Sequence, residues 1–568
     1  MRFDLKLKII CDILCNLKPN MFCASIKKEE KSEDKKENNE KGKDKSKKDK
    51  KSVVLKVDVD GLKDRIAGLP IKASAYRNLT SVENNLYYTR RGSKDTKTLL
   101  LTYDFKKQKE TELGAIGGYE ISADQKKMLV SQNKSYAIID LPKGKIKLDK
   151  KLKLSDMQVK LNKKKEWAQI YEECWRQMRE FFYAPNMHGV DWEGIREKYR
   201  PLVKYVNHRV DLTYIIGEMI GELSVGHTYV GGGDWKKAKR IQTGLLGAKI
   251  VRDKKSGYFQ ITKILRGQNW DKTLCSPLTE IGVDVNEGDY ILAVNGKSTT
   301  QMKNFYSAFV NTVGKQVTLK VNTKPAEKDS REVVVKPIAD ESNLYYFDWV
   351  QTNIEKVDKA TGGKVGYLHV PDMGVHGLNE FVKYFYPQLK KKALIIDVRG
   401  NGGGNVSPML IERLRREVAM IDMARNRTPG TDPGAMVYGP KVCLLDEFSA
   451  SDGDLFPYRF KQHKMGKLIG KRSWGGVVGI RGSLPLLDGG TLNKPEFAPF
   501  HVSGKKWIIE GVGVEPDIYV DNDPAQEYAG NDQQLNKAIE VILEELKTQE
   551  KKIPSIPDYP DKSGKPMK

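Results

Sequence analysis

Two apolar strand segments, each followed by a loop and then a helical pattern, constrain the fold of this chain more than any other feature. The first, KALIIDVRGNGGGNVSPMLIERL, begins at Lys392, and the second, KVCLLDEFSASDGDLFPYRFKQH, begins at Lys441. Strands that alternate with helices indicate a largely parallel crossover sheet, so we expect an α/β domain over residues 341–550. Because ligands bind beyond the carboxyl ends of such strands, both loops are candidate sites.

Short strand patterns separated by turns fill residues 53–150. The segments are VVLKVDV, NLYYTRR, LLLTYDF and YEISADQKKMLVSQNKSYAIIDL, the last of which contains three strands. Such spacing is typical of a propeller or a sandwich. At roughly 40–45 residues per four-stranded blade, the region would form a partial β-propeller of about two blades. Two blades cannot close a ring, so either strands are missing from this chain or this part docks elsewhere.

A small helical domain is predicted over residues 151–240. Apolar residues recur there every three or four positions, which predicts a helix with one apolar face. The members of this face are Trp167, Ile170, Tyr171, Cys174, Trp175, Met178, Phe181 and Phe182. A second helix, DLTYIIGEMIGEL, begins at Asp211 and ends before SVGHTYVGGGD, where glycines interrupt the pattern.

Residues 241–340 read as a separate β-rich domain that opens with GLLGAKIV. Its segment VNEGDYILAVNG is an apolar strand between Gly-Asp and Asn-Gly turns, and this segment resembles a PDZ domain. The resemblance implies that the opening glycine loop offers backbone N–H groups to a peptide carboxylate. It also implies a groove that adds a peptide strand to a sheet edge.

The formal net charge of +24 raises the possibility of a nucleic-acid partner. Much of the lysine, however, lies in KKEEKSEDKKENNEKGKDKSKKDKK, which mixes both signs and has no apolar residue to bury. Such a run is typical of disorder, so we predict a disordered leader over residues 1–52 and a disordered tail over residues 551–568. Nucleic-acid tails are more often single-signed and carry aromatic residues, so no nucleic-acid partner is expected. Steep salt-dependent association with DNA would argue otherwise.

Neither a membrane nor a metal is an expected partner. The sequence has no run of about 18 apolar residues. The N-terminal segment is a poor signal peptide, because Asp4 and Asp12 interrupt it. No C-x-x-C pair indicates a disulfide framework or a zinc site. The cysteines beyond the leader are predicted to be reduced and buried, namely Cys174, Cys275 and Cys443. These features favour the cytoplasm, with the periplasm as the alternative, and no cofactor is expected.

The first candidate loop contains Gly402, Gly403 and Gly404 after Asn401. Glycines let backbone N–H groups approach a substrate closely, and N–H groups that precede a helix favour negative charge. The loop lacks both the Gly-Lys-Ser/Thr of a phosphate-binding loop and the spacing of a dinucleotide-binding loop. It is therefore either a plain turn or part of an oxyanion hole, which needs only one or two such donors.

The second candidate loop contains Ser451, within the sequence SDGD. The S-x-x-D pattern is typical of a helix N-cap, but a serine at a helix start also lies near N–H groups that stabilise a developing anion. The G-x-S-x-G nucleophile elbow is absent. A nucleophilic serine needs a base, and His227 stands out among the seven histidines because it lies at a helix end beside glycines. The residues alone leave cap and nucleophile open.

Several segments together resemble the C-terminal catalytic domain of tricorn proteases. They are DVRGNGGGN, FSASDGDLFPYRFK, LIGKRSWGGVVG and IIEGVGVEPD. GEMIGELSVGHTYV resembles the helical domain that supplies the histidine in that family, which is related to the carboxy-terminal processing proteases. The likeness covers about residues 53–550. It implies a multidomain α+β chain in the order propeller, helical domain, PDZ-like domain and α/β serine protease domain.

The resemblance also assigns the parts of a serine-protease site to positions in this chain. It implies Ser451 as the nucleophile, His227 as the base and Glu510 as the relay acid. As oxyanion donors it implies the backbone N–H groups of Asp452 and of Gly402 or Gly403. In the family an acid in the substrate pocket favours basic side chains, and Asp422 lies in the corresponding region.

Two positions depart from the related patterns. The tricorn relay includes a serine just before the histidine, where this chain has Gly226, so a water or another hydroxyl would have to link His227 towards Glu510. The processing proteases use a lysine base in a turn after the nucleophile, where this chain has Gly476. Because glycine cannot accept a proton, His227 must serve as the base, which favours the tricorn pattern.

The resemblance implies a serine peptidase that hydrolyses oligopeptides through an acyl-enzyme and forms a homo-oligomer, which is a hexamer in relatives. The alternative is an inactive, protease-derived module that binds peptides, which Gly226 and the missing blades would suit. Because the family normally has two propellers, we expect this chain to lack most of its propeller region. Residues 1–50 are then interpreted as an insertion into that region.

Overall fold

The structure is a computed structural model that describes residues 60–92, 95–482 and 484–564. The leader predicted to be disordered and the predicted strand VVLKVDV lie outside the described residues. The chain divides into two compact units, Met1–Lys160 and Leu161–Lys568. Within the described ranges, no helix is both long and apolar enough to cross a membrane.

The first unit contains two antiparallel sheets in which strands pair in sequence order. After a 3-10 turn at Leu62–Arg65, its strands are β1 (Tyr76–Val82), β2 (Asn85–Arg90), β3 (Leu99–Asp104) and β4 (Lys109–Ala115) in one sheet, and β5 (Gly118–Ile121), β6 (Lys127–Gln132) and β7 (Ser135–Asp140) in the other. The predicted strands are confirmed as β2, β3 and β5 to β7. Sequence analysis missed β1 and β4; β4 reads KETELGA and buries only Leu113 fully, so it carries almost no apolar signal. Assignment of these sheets as propeller blades stays a prediction.

The helical domain begins the second unit. Its elements are α1 (Lys163–Phe181), α2 (Trp192–Tyr199), α3 (Arg209–Gly221) and β8 (Tyr229–Gly231), with 3-10 turns at Met187–Gly189 and Arg200–Tyr205. The predicted apolar face of α1 is buried except at Phe181, which is 41% exposed. The prediction is wrong there because α1 ends at Phe181 and the chain becomes extended at Phe182, whose ring enters the core instead. The second helix starts two residues earlier than predicted, because His208 caps it and Asp211 completes the capping box.

The PDZ-like domain is a mainly antiparallel sheet in the order β14-β13-β11-β10-β9, with β12 paired to β11. Its strands are β9 (Ala248–Arg252), β10 (Phe259–Ile264), β11 (Tyr290–Val294), β12 (Lys297–Ser298), β13 (Val317–Asn322) and β14 (Arg331–Val335), with 3-10 turns at Pro277–Thr279, Thr299–Gln301 and Phe305–Phe309. The predicted apolar strand is confirmed as β11. The expectation that the opening loop offers its N–H groups to a peptide is wrong at Gly244, Leu245 and Gly247, because each already donates to an acceptor within the chain; at Leu246, whose N–H has no acceptor in the described ranges, it stays a prediction.

The α/β domain follows. Its elements are α4 (Ser342–Thr361), β15 (Val365–His369), α5 (Val375–Phe385), a 3-10 turn (Tyr386–Gln388), β16 (Ala393–Asp397), α6 (Ser407–Leu414), β17 (Met420–Asp422), β18 (Gly430–Asp432), β19 (Lys441–Leu445), α7 (Asp452–Gln462), β20 (Gly466–Gly470), β21 (Gly479–Ile480), β22 (Thr491–Asn493), β23 (Pro495–Phe497), β24 (Ile518–Tyr519), α8 (Pro524–Tyr528) and α9 (Gln533–Gln549). The predicted parallel sheet is confirmed, in the order β15-β16-β19-β20-β24.

Both faces of this sheet are covered, which explains why its strands read as unbroken apolar runs. Leu394 and Ile396 of β16 join a core with α5, α6 and α7, whereas Ala393 and Ile395 join a second core with α9. The carboxyl ends of β16 and β19 therefore emerge side by side from a rigid scaffold. Each end leads into one of the two loops that sequence analysis selected.

The cysteine prediction is confirmed at two of its three positions. Cys174 and Cys443 are free and buried, whereas Cys275 is only partly buried. The Cys275 thiol lies in a loop and donates to the Glu280 carboxylate at 2.7 Å, so a polar partner replaces the apolar packing that its neighbours suggested.

Candidate active site

Ser451 occupies the turn between β19 and α7 in a strained backbone conformation. Its φ is 58° and its ψ is −120°, and its side chain makes no capping hydrogen bond to α7. A non-glycine residue with positive φ costs about 1–3 kcal/mol and is typical of functional sites. The cap interpretation is therefore wrong for the side chain, because the hydroxyl satisfies no N–H group of the helix.

The S-x-x-D pattern has a different origin from a capping box. The Asp454 carboxylate is fully buried and accepts from the N–H groups of Gly475, at 2.7 Å, and Gly476, at 3.2 Å. Burial raises the pKa of Asp454, and these N–H groups oppose that rise by stabilising the anion. Asp454 thus fastens the segment 473–478 to the start of α7, a role that sequence analysis missed.

The glycine loop after β16 lies directly against Ser451. A Cβ atom on Gly403 would lie 2.6 Å from the Ser451 Cβ, and Gly403 has a φ of +99°. A Cβ atom on Gly402 would meet no atom within 4 Å. Gly403 is therefore required for close approach of the two loops, whereas Gly402 faces open space beside the serine.

Asn401 decides which N–H group of the glycine loop is available. Its Oδ1 accepts from Gly403 N–H at 2.9 Å, and its Nδ2 donates to the Val370 carbonyl at 2.8 Å. In the described part of the chain, no acceptor engages Gly402 N–H. Of the two glycines that the sequence offers as an oxyanion donor, Gly402 therefore has the available N–H group, and Gly403 does not.

Asp452 contributes a second available donor. Its carboxylate is held by the Ser407 N–H at 2.9 Å, the Ser407 hydroxyl at 2.6 Å and the Arg459 guanidinium at 3.0 Å. Its backbone N–H, at the first position of α7, has no acceptor among the residues that the structure describes. The buried side chain fixes the helix start, and the N–H group remains open next to Ser451.

His227 is brought to the α/β domain by strand pairing. It lies between α3 and β8, and β8 pairs antiparallel with β22, with Gly231 opposite Thr491 and Tyr229 opposite Asn493. A fully buried ion pair between Arg209 of the helical domain and Asp488 holds the two parts together. The helical domain therefore holds the loop that carries His227 against the α/β domain, and the role of His227 as the base stays a prediction.

The His227 ring is half-buried beside two aromatic rings. Its centroid lies 6.0 Å from that of Trp474 and 6.2 Å from that of Tyr229, both edge-on. Burial lowers the pKa of His227 below its ordinary value, and the negative charge of Glu510 opposes that shift. A histidine that is neutral at pH 7 can accept a proton.

Glu510 lies close to His227 but is occupied by backbone donors. Oε1 accepts from Gly226 N–H at 2.8 Å, and Oε2 accepts from Val477 and Val478 N–H at 2.5 and 2.9 Å. The His227 Nδ1 atom is buried and has no hydrogen-bond partner within the described ranges. Glu510 therefore ties the histidine loop to segment 473–478, and its role as relay acid stays a prediction.

Segment 473–478 borders both Ser451 and His227. Trp474 N–H donates to the Ser449 carbonyl at 3.0 Å on the serine side. On the histidine side, a Cβ atom on Gly226 would lie 3.1 Å from Gly476 Cα and 3.1 Å from the Trp474 ring. Segment 473–478 therefore contacts the loop that carries Ser451, the ring of His227 and the carboxylate of Glu510.

Both departures from the related patterns have a steric reason. A side chain at Gly226 would fit only if Trp474 or Gly476 shifted by a few tenths of an ångström. A Cβ atom on Gly476 would lie 2.0 Å from the Trp474 ring, so a lysine has no room there. The expectation that His227 and not a lysine serves as base is consistent with this packing.

Asp422 belongs to an element that carries none of the residues above. It ends β17, in the two-stranded ribbon β17-β18 opposite Gly430, and is exposed. Among the described residues its carboxylate has no hydrogen bond or ion pair to the residues around Ser451. A substrate-binding role for Asp422 stays a prediction.

Comparison with known proteins identifies each domain of the second unit. Family models match residues 163–221 as the tricorn protease C1 domain, residues 244–340 as the tricorn protease PDZ domain and residues 364–520 as peptidase family S41. The chain is 33% identical over 524 residues to tricorn protease homolog 1 of Streptomyces coelicolor, covering 88% of this chain and 48% of that protein. It is 31% identical over 511 residues to the tricorn protease of Thermoplasma volcanium, covering 88% and 49%.

A solved structure gives the same result. The crystal structure of the tricorn protease matches with a TM-score of 0.79 and 29% identity, over 88% of this chain and 49% of that one. The chain thus spans about half the length of the curated relatives it matches.

Proposed function

The chain belongs to the tricorn protease family, and from that premise we propose that it is a serine peptidase that hydrolyses peptide bonds in oligopeptides. The observation that carries the proposal is the setting of Ser451. Its hydroxyl makes no capping hydrogen bond to α7, its backbone is strained, and in the described part of the chain neither Asp452 N–H nor Gly402 N–H, in the loop that packs against Ser451, has an acceptor.

In the proposed mechanism, His227 accepts the Ser451 proton as the hydroxyl oxygen attacks the peptide carbonyl carbon. The negative charge that develops on the carbonyl oxygen is stabilised by Gly402 and Asp452 N–H, each donor being worth roughly 3 kcal/mol. His227 then protonates the leaving amine, and water hydrolyses the acyl-enzyme. Glu510 stabilises the imidazolium through its charge, which already raises the His227 pKa against the effect of burial.

We further propose that the partners are peptides and further copies of this chain, and that the protein acts in the cytoplasm. Reduced Cys174 and Cys443 are compatible with that compartment. The exposed Asp422 is proposed to favour basic side chains in the substrate, as an acid does in relatives.

The test is covalent labelling with a fluorophosphonate probe, read by mass spectrometry. Labelling should map to Ser451 and should disappear in Ser451→Ala and in His227→Ala. The control variants Ser298→Ala, in the PDZ-like domain, and His463→Ala, at the exposed end of α7, should label like the wild type. A folded wild type that takes no label would instead support the inactive peptide-binding module.

A further inference from the structure

Three of the four N–H groups in the opening loop of the PDZ-like domain, Gly244–Gly247, donate to acceptors within the chain, whereas Leu246 N–H has no acceptor among the described residues. Gly244 N–H donates to the Phe309 carbonyl at 2.8 Å, and Leu245 N–H donates to the Ile338 carbonyl at 2.8 Å. Both acceptors belong to the same domain, so these donors are part of its internal framework and cannot serve a ligand.

Gly247 is different, because its acceptor is a carboxylate. Its N–H donates to Glu341 Oε2 at 3.0 Å. Backbone N–H groups in such a loop are what PDZ domains use to hold the terminal carboxylate of a peptide. The Glu341 carboxylate therefore engages a loop donor, Gly247 N–H, that would otherwise be available to a peptide terminus.

Glu341 is placed for this contact by the start of α4. It stands at the N-cap position of α4, yet its side chain makes no capping hydrogen bond, because the carboxylate reaches the Gly247 loop instead. One turn further on, the Leu344 Cδ1 atom lies 2.9 Å from where a Gly247 Cβ would be. Burial raises the pKa of Glu341, and the Gly247 N–H opposes the rise. The first turn of α4 thus covers the loop as well as filling it.

Ion pairs hold α4 against the PDZ-like domain and keep this arrangement in place. Lys263 of β10 contacts Asp348, whose side chain is only 9% exposed. Arg266, just after β10, pairs with Glu355 at 2.6 Å. Because these contacts lie about two and four turns after Glu341 on the same helix, they keep the start of α4 beside the Gly247 loop.

We propose that Glu341 is an internal ligand of the PDZ-like domain, so that this domain does not select peptides by their free C-terminal carboxylate. The outer edge of β9 pairs with no described strand, so an extended peptide can still add there through its backbone. Such a peptide would be held through residues within its own sequence and not through its C-terminus. Only the identification of peptides as ligands rests on the proposed peptidase function.

The experiment uses the full chain with Ser451→Ala, so that no peptide is cleaved. The immobilised protein is offered an equimolar mixture of a random octapeptide pool with free C-termini and the same pool with C-terminal amides, and bound peptides are quantified by mass spectrometry. We expect no preference between acid and amide in this background. Adding Glu341→Ala should enrich the acid pool about tenfold, the effect of one charge-assisted hydrogen bond.

The control is Glu332→Ala, which removes an exposed glutamate on β14 and should leave the ratio unchanged. A Glu341→Ala protein that is folded by circular dichroism but shows no enrichment of acids would overturn the proposal. If the Glu341→Ala variant fails to fold, the Ser451→Ala protein provides the test by itself. A tenfold preference of that protein for peptides with free C-termini would mean that the loop is open and would overturn the proposal. Neither result changes the fluorophosphonate labelling of Ser451. The proposed peptidase function and the proposed role of Glu341 can therefore be disproved independently.

Discussion

The two glycine loops, Gly244–Gly247 and Gly402–Gly404, look alike in sequence but differ in what their N–H groups contact. In the first, Gly247 donates to a carboxylate that lies 94 residues away in the chain. In the second, Asn401 engages only Gly403, two residues on, and leaves Gly402 open. A glycine-rich loop therefore predicts that a ligand can approach the backbone N–H groups closely. Whether any of these N–H groups is free for a substrate depends on the neighbouring side chains.

The strongest test of this difference is Gly403→Ala. The new Cβ would lie 2.6 Å from the Ser451 Cβ in a residue with a φ of +99°, so the loop must move away from the serine. Because a displacement of about 1 Å can cost 100-fold, labelling of Ser451 should slow at least 100-fold, and the melting temperature should fall. Gly402→Ala, whose Cβ meets nothing, should not lower the melting temperature; wild-type labelling by Gly403→Ala would show that close approach is unnecessary.

A smaller effect is expected from Asn401. Asn401→Ala leaves the Val370 carbonyl and Gly403 N–H without their partners, which should destabilise the protein by about 2 kcal/mol and slow labelling about tenfold. Asn401→Asp keeps an acceptor for Gly403 but loses the donor to Val370, so it should recover labelling more than stability. If both variants lose rate and stability in proportion, Asn401 has only a packing role.

In the loop Gly244–Gly247, a glycine-to-alanine substitution should lower the stability of the protein without slowing the labelling of Ser451. Gly247 has a φ of +69° and close contact with Leu344, so Gly247→Ala should destabilise the protein by about 1–2 kcal/mol. Labelling of Ser451 should stay within about threefold of wild type, because this loop holds no reacting group. A loss of labelling as large as that of Gly403→Ala would mean that the two loops are coupled.

The smallest effect concerns pH. In the proposed mechanism His227 can accept the Ser451 proton only while it is neutral, so labelling should fall as pH drops through the His227 pKa. Because burial lowers that pKa, the midpoint should lie below about 6.5, the ordinary value. Glu510→Gln removes the charge that raises the pKa and should move the midpoint down by about half a unit, measured from labelling rates across pH. A midpoint that rises in this variant would contradict the assignment.

Much of the fold could be predicted because burial leaves a pattern in sequence. The strands β15, β16 and β19 are buried on both faces and read as apolar runs. Failures occurred where that pattern is weak or misleading. Phe181 fits the apolar face of α1, but its exposure follows from where the helix ends, which the three- and four-residue spacing does not encode. The edge strand β4 has too few apolar residues to be recognised.

The site was predicted through family likeness, and its details depend on contacts that no local pattern reveals. Asp454 resembles part of a helix cap because of its spacing from Ser451, yet its carboxylate contacts residues 21 and 22 positions later. The contact between Gly247 and Glu341 spans two domains. Such partners become known only when the strands and helices have been placed together.

The pairing of β8 with β22 holds His227 against the α/β domain, so the proposed chemistry depends on this tertiary contact. The imidazole acquires its place only after Thr491–Asn493 has been synthesised and has met Tyr229–Gly231, so an unfinished polypeptide would lack the base of the proposed mechanism. Under the proposed function, fraying of this short ribbon would remove His227 from the site while the parallel sheet stays intact. Warming should accordingly abolish turnover before the bulk of the molecule melts.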